Sequence, residues 1–404
     1  MTSDQKSIEL GTSSLEDYGS DLIEELRRSN EPLREGDTVI HLAQRFGFCY
    51  GVQRAIQLIY AARERFPESR IFLLGEIIHN PEVNARIEAL GIIRLRGLGM
   101  LGETLTSPVL PKLSKNPTIS PTELCKLIAP EDVVVIPAFG VPQQVMDVLV
   151  AIGCHVVNTT CGHVMRVWRR VRQNTAEGIT SIIHGKSSHE ETLATASQAH
   201  GGHYLVISGV SDCEEVCQFI RSGGDAEKFL ERFHGTHSEG FDPIQHLQRI
   251  GVANQTTMLR NETLEIQSRL RDAIIERDGD DKNFHALDTV CNATQERQDA
   301  LLTLLNRPLD FLLVVGGYNS SNTTHLVQIG QKRYPTYFIQ DADCMVSAKE
   351  IRCYDLATRT ETSVFDWMPL GEIGKTCTVG ITAGASCPDN VVEAVVRKVF
   401  ALRN

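Results

Sequence analysis

The chain has 404 residues, too many for one compact core, which points to several domains. With 42% hydrophobic and 23% charged residues it reads as an ordinary globular enzyme, and a net charge of −11 argues against nucleic acid as its main partner. No apolar run approaches the roughly 18 residues that span a bilayer.

Residues 1–36 are polar and acidic. They read as a weakly ordered N-terminal extension, neither a secretory signal nor an Arg-rich transit peptide. The expected location is therefore the bacterial cytoplasm rather than a plastid. Eleven cysteines in such a reducing compartment point to metal, catalysis or buried thiols, not disulfides.

From residue 37 onward, short Val/Ile-rich runs alternate with amphipathic ones. RIFLLG (70–75), DVVVIPAFG (132–140), HVVNTT (155–160), SIIHG (181–185) and YLVISG (204–209) read as strands. So do RIGVANQTT (249–257), DFLLVVGG (310–317), TYFIQ (336–340) and CTVGITAGAS (377–386). Their near-continuous apolarity is that of parallel strands buried on both faces. The fold class is α/β, made of repeated βα units. Residues 101–131, rich in Pro, Ser and Thr, and residues 210–246, with mixed charge and one helix, read as insertions. The chain divides into an α/β domain over 37–160, a second over 161–285 and a third over 286–376. A C-terminal segment, 377–404, returns to the first.

Three cysteines share one context. Cys49, Cys161 and Cys291 each follow a strand-like run and each open a helical one. Helix N-termini bias thiols toward thiolate, and α/β ligands bind where strands end and helices begin. Three such thiolates suit an iron–sulfur cluster with one iron left open. Free cysteines are commonly just buried, which is how the other eight are read. Cys213 and Cys217 with His234 and His237 have a loose zinc-site spacing, but the two cysteines are also one helical turn apart, which fits a packing face.

Other polar residues cluster at strand ends. Ser320, Ser321 and Asn322 follow DFLLVVGG, and Ser386 follows CTVGITAGA. Hydroxyl and amide groups at a helix start are capping residues or phosphate ligands, and a run of three favours phosphate. No Walker A or GxGxxG motif indicates a nucleotide. His79 in GEIIHNPEV, and His189 and Glu191 in HGKSSHEET, suit anion binding and proton transfer. Ser188 with Glu191 also has the spacing of a capping box. Thr256 and Thr257 end another strand and suit ligand contact or capping.

GFCYGVQRAI, GEIIHNPEV, HGKSSHEETLATAS, ANQTTML, CNATQERQDA, NSSNTTHL and GITAGASCPD occur in the order found in 4-hydroxy-3-methylbut-2-enyl diphosphate reductases. The chain resembles that family from about residue 40 to its C-terminus, in the longer branch of cyanobacteria and plastids. The resemblance implies three similar α/β domains, with mostly parallel sheets, in a pseudo-threefold trefoil around a central [4Fe–4S] cluster. It implies Cys49, Cys161 and Cys291 as the cluster ligands, with the fourth iron taking the substrate hydroxyl. It assigns the diphosphate to His79, His189, Ser320, Ser321, Asn322 and Ser386, with Thr257 beside them. Glu191 and Thr256 would deliver protons. The expected reaction is the last step of the methylerythritol phosphate route to isopentenyl and dimethylallyl diphosphate, with electrons from a ferredoxin or flavodoxin. Phe139 stands where the shorter branch has a histidine. Gly162 and His163 replace a usual proline and apolar residue, and His163 is a candidate donor near the diphosphate.

Overall fold

The computed structural model describes residues 13–29, 31–95, 121–286, 289–369 and 376–403. It contains sixteen strands among these residues. The first eight are β1 (Leu33–Glu35), β2 (Thr38–Leu42), β3 (Ile71–Leu74), β4 (Ile93–Leu95), β5 (Val133–Ile136), β6 (His155–Asn158), β7 (Thr180–His184) and β8 (Tyr204–Ile207). The rest are β9 (Ile250–Asn254), β10 (Phe284–Ala286), β11 (Phe311–Val315), β12 (Thr336–Ile339), β13 (Met345–Ser347), β14 (Glu350–Asp355), β15 (Thr360–Phe365) and β16 (Cys377–Ala383).

The chain forms two compact units. One comprises Met1–Ala61, Ile78–Arg86 and Asn292–Asn404, the other Ala62–Ile77 and Ile87–Cys291. The second unit holds two parallel sheets, ordered β4-β3-β5-β6 and β8-β7-β9-β10. The first unit holds a third, ordered β12-β11-β16-β2, with β1 antiparallel at its edge. Each sheet therefore has the same plan: an edge strand, two central strands, and a fourth strand that leads toward one of the three cysteines. The central strands β5, β7, β9 and β11 are buried along their whole length, as two-sided coverage by helices requires.

β2, from the 37–160 stretch, pairs with β16 of the C-terminal segment, and β16 pairs in turn with β11. Sequence neighbours need not be sheet neighbours, because a parallel pairing is reached only by a crossover. The C-terminal helix Asp389–Arg403 buries Val391, Val392, Val395, Val396 and Val399 as one stripe over this unit's core.

Three features differ from the sequence reading. Residues 13–29 of the N-terminal extension are helical, over Ser13–Tyr18 and Asp21–Ser29. Tyr18 and Ile23 are buried there, Ser20 Oγ donates to Glu393 at 2.6 Å, and Arg27 holds Asp389 bidentately at 2.5 and 2.6 Å. Acidic composition masked two apolar anchors. Residues 1–12 lie outside the description, as does most of the 101–131 insertion. Residues 210–246 carry three helices rather than one, with Phe219, Phe229, Phe233 and Phe241 in the core. This stretch also covers the β8 edge: Val206 N–H donates to Thr236 and Ser238 N–H to Tyr204. Finally, β13, β14 and β15 make a small antiparallel sheet not anticipated from sequence. No described helix is long and apolar enough to cross a membrane.

Candidate active site

The three cysteines are held by one repeated hydrogen bond. The Cys49 N–H donates to Ala385 O at 3.1 Å, Cys161 to Ala138 at 2.9 Å, and Cys291 to Thr256 at 3.1 Å. Ala385, Ala138 and Thr256 each lie two residues past the end of the central strand beside the cysteine's own strand: β16, β5 and β9. Each cysteine immediately precedes a helix, Tyr50–Arg65, Gly162–Ala176 or Asn292–Leu304. None of the three is in a disulfide. At the second of these helices Cys161 is the N-cap, and no side-chain oxygen caps it.

The residues before each cysteine set the turn. Thr159 Oγ1 donates to Ile136 O at 2.6 Å, and Thr289 Oγ1 donates to Asn254 Oδ1, so both hydroxyls grip the last residue of the adjacent strand. The equivalent position before Cys49 is Gly47, at φ +81°, whose carbonyl accepts from buried Arg297. A Cβ there would meet Asp389 Oδ1 at 2.6 Å, so this turn requires glycine.

A second repeated device follows the other central strands. Gly75, Gly185 and Gly316, just past β3, β7 and β11, donate their N–H groups to the last residues of the neighbouring edge strands: Leu95, Ile207 and Ile339. Five residues past those three strand ends stand His79, His189 and Ser320. The three residues are thus structural equivalents, each directed by the same turn. Asn319 Nδ2 donates to His79 Nδ1 at 3.1 Å, and Glu191 N–H donates to His189 Nδ1 at 3.2 Å. With Nδ1 accepting, a neutral ring carries its proton on Nε2 in both cases. The Phe139 ring stands edge-on to His189, with centroids 5.9 Å apart.

His189, not Ser188, is the N-cap of the helix Glu190–Ala196. Glu191 is turned to Thr256: its carboxylate accepts the Thr256 N–H at 2.5 Å and the Thr256 hydroxyl at 3.0 Å. Only 2% of Glu191 is exposed. A buried carboxylate held by two donors is fixed in position for proton transfer. Next to Thr256, the Gln255 amide accepts from Lys186 N–H and Thr192 Oγ1 and donates to Thr257 Oγ1 at 2.7 Å.

Ser320 caps the helix Ser321–Gly330 by accepting from the Thr323 N–H. Asn322 Oδ1 accepts from Ala385 N–H at 2.9 Å, and Ser386 Oγ donates to His79 O at 3.0 Å. Ser321 Oγ and Asn322 Nδ2 are buried with no hydrogen-bond partner among the described residues. Capping alone does not account for them, because a buried donor without a partner costs about 1–3 kcal/mol. Orphaned donors at a helix N-terminus are fitted to an anion.

The zinc-like spacing assembles nothing. Cys213 and Cys217 lie in the apolar core with sulfurs 3.8 Å apart, and no ligand group among the described residues includes them with His234 or His237. His163 sits part-exposed in the first turn after Cys161 without a partner among the described residues. Sequence reasoning passed over Asn319, Gln255 and Thr289. The first two flank named residues, which was the available signal; Thr289 shows its role only through its strand neighbour.

A family model described as LytB protein matches residues 40–400. The chain belongs to the LytB family. Relatives named 4-hydroxy-3-methylbut-2-enyl diphosphate reductase include one from a Nostoc species, 41% identical over 98% of this chain and 92% of that protein. Another from Gloeobacter violaceus is 42% identical over 96% and 88%. Such nearly full-length kinship makes the chain an oxidoreductase enzyme. A solved structure of the reductase from Plasmodium falciparum covers 90% of this chain and 88% of its own, with TM-score 0.61 and 19% identity. A second, titled as (E)-4-hydroxy-3-methyl-but-2-enyl diphosphate reductase, covers 90% and 99%, with TM-score 0.50 and 24% identity. These two likenesses speak for the fold, the α/β class with mostly parallel sheets expected from sequence.

Proposed function

We propose that this LytB-family oxidoreductase removes the allylic hydroxyl of 4-hydroxy-3-methylbut-2-enyl diphosphate, yielding isopentenyl and dimethylallyl diphosphate. Each turnover takes up two electrons and two protons. The C–O bond breaks, one proton leaves with the hydroxyl as water, and the other forms a new C–H bond. The reading is carried by the thrice-repeated cysteine turn, which gives each parallel sheet one cysteine held by the same backbone hydrogen bond.

The donor set fits an iron–sulfur cluster: three cysteines outside any disulfide, each at a helix start. Cys49, Cys161 and Cys291 would hold it as a [4Fe–4S] cluster. When bound, it relays single electrons and offers an open Lewis-acidic iron to the substrate hydroxyl. Electrons come from a ferredoxin or flavodoxin, and the expected setting is the bacterial cytoplasm.

The chain's own residues do the rest. Ser321 and Asn322, with Ser320 and Ser386, take the diphosphate at the helix N-terminus, satisfying the two orphaned donors. His79 and His189 donate from Nε2, each oriented through Nδ1. Glu191 passes a proton to the departing hydroxyl while Thr256 holds the carboxylate, and Thr257 lines the same strand end. Anaerobic purification followed by iron and sulfide assay, then turnover with reduced ferredoxin and mass-spectrometric product detection, tests this. An iron-free but active protein would refute it.

A further inference from the structure

The helix Gly162–Ala176, which Cys161 caps, carries a charge pattern the reaction itself does not use. Val164, Val167, Trp168 and Val171 bury one face, and Trp168 Nε1 donates to Thr195. The opposite face presents Met165, Arg166, Arg169 and Arg172 to solvent. No Asp or Glu occurs from Val148 to Ala176, in a chain that carries 51 of them. Arg166 and Arg169 pair with no carboxylate among the described residues, and Arg172 donates to an amide, Gln198. Met165 is 38% exposed in their midst.

This arrangement works against the helix. Arginines three residues apart repel one another, and a cation in the first turns opposes the helix dipole. Ordinary surface helices intersperse acids to relieve this. The uncompensated face, with an exposed thioether at its head, has the make-up of a docking surface: cations for steering and an apolar anchor. Met165 lies one turn from Cys161, about 6 Å along the helix axis, and Arg172 about 16 Å. A protein seated here would bring its redox centre close to the cysteine.

We propose that Met165, Arg166, Arg169 and Arg172 form the docking site for a small acidic one-electron carrier protein. The proposal rests on the reductase reading above and adds to it where the electrons enter. The partner is acidic because the face offers only cations, although the whole chain is anionic. That contrast orients the encounter, since the chain as a whole carries a net charge of −11.

The test uses anaerobically prepared holoenzyme and two donors. One is a reduced plant-type ferredoxin, an acidic protein. The other is dithionite-reduced methyl viologen, a small cation that needs no docking face. In R166E/R169E the KM for ferredoxin should rise at least about tenfold, and in R166Q/R169Q by a smaller factor. Turnover with methyl viologen should stay within about twofold of wild type, which also reports that the variants fold. Ferredoxin-driven turnover of the wild type should fall as KCl is raised, and that of R166E/R169E should not. An unchanged ferredoxin KM in both variants overturns the docking site. So does tight salt-sensitive retention of duplex DNA by the wild type that the variants lose while their ferredoxin kinetics are unchanged. A wild-type holoenzyme that makes no product with either donor overturns the reductase reading, and the docking site with it.

Discussion

Glu191 and Thr256 come from different helix and strand ends of one parallel sheet, yet the carboxylate of one holds both the backbone and the hydroxyl of the other. Because Cys291 N–H donates to Thr256 O, the same threonine also anchors a cysteine turn. The Glu191 carboxylate and the Cys291 turn are therefore registered through a single residue.

If Glu191 transfers a proton, Glu191→Gln should lower kcat by about 100- to 10,000-fold with little change in KM. The amide still accepts from the Thr256 N–H, so the fold should persist by circular dichroism. Loss of less than about tenfold would remove Glu191 from the chemistry.

Ser321→Ala offers a separation of binding from stability. Removing a hydroxyl that is buried without a partner should leave the ligand-free protein as stable, or more so by up to about 1 kcal/mol. The KM for the diphosphate should nevertheless rise about tenfold, the worth of one hydrogen bond to a charged group. Urea unfolding and steady-state kinetics measure the two, and a destabilised protein with normal KM would show the hydroxyl to be structural.

Single Cys→Ser variants at 49, 161 and 291 should each lose iron and visible absorbance after anaerobic reconstitution, while Cys217→Ser should retain both. The Cys217 thiol is packed in an apolar core, so its variant should instead unfold at lower urea. Retention of iron in all three of the first group would dismiss the cluster assignment.

Gly140→Ala should destabilise by about 1–3 kcal/mol. Gly140 has φ +79°, and a Cβ there would run into the Trp168 ring on the Cys161 helix. The midpoint of urea unfolding reports this, and an unchanged midpoint would show that the Trp168 side chain can move aside.

The N-terminal helix should loosen in acid. The Ser20 hydroxyl beside Glu393, and Arg397 after it, hold this carboxyl below its usual range. A folded-state value lower than the unfolded one stabilises above the ordinary Glu value of about 4.3 and is lost as pH falls below it. Limited proteolysis between residues 13 and 29 should accelerate from pH 6 to below about pH 4, and less so in Glu393→Gln. Identical profiles would assign the contact no role.

The legible parts of the fold were those governed by local chemistry. Val/Ile runs declared the central strands, and the three cysteines declared themselves by standing between strand and helix. Glu191 and Thr256 were each visible in their own segments, but their contact spans two turns that only the sheet brings together. The N-terminal helix was hidden because Tyr18 and Ile23 are two apolar residues in an acidic stretch. β13 to β15 were hidden because their polar, half-exposed strands carry little of the apolar signal that marked the parallel ones. The return of 377–404 toward the first stretch of the chain was expected, but nothing local to Thr38–Leu42 records the residue-by-residue pairing of β2 with β16.

That last pairing has a consequence for how the molecule is made on the ribosome. The two sheets of the second unit are complete once Ala286 has emerged, so they can form during synthesis. The sheet holding β2 must wait for β16, and Cys49 has no anchor until Ala385 is translated. The first cysteine of the chain is thus the last to be fixed. If Cys49 serves as a ligand as proposed, it can do so only in chains synthesised past Ala385, and a product truncated before β16 is left with an unplaced Cys49.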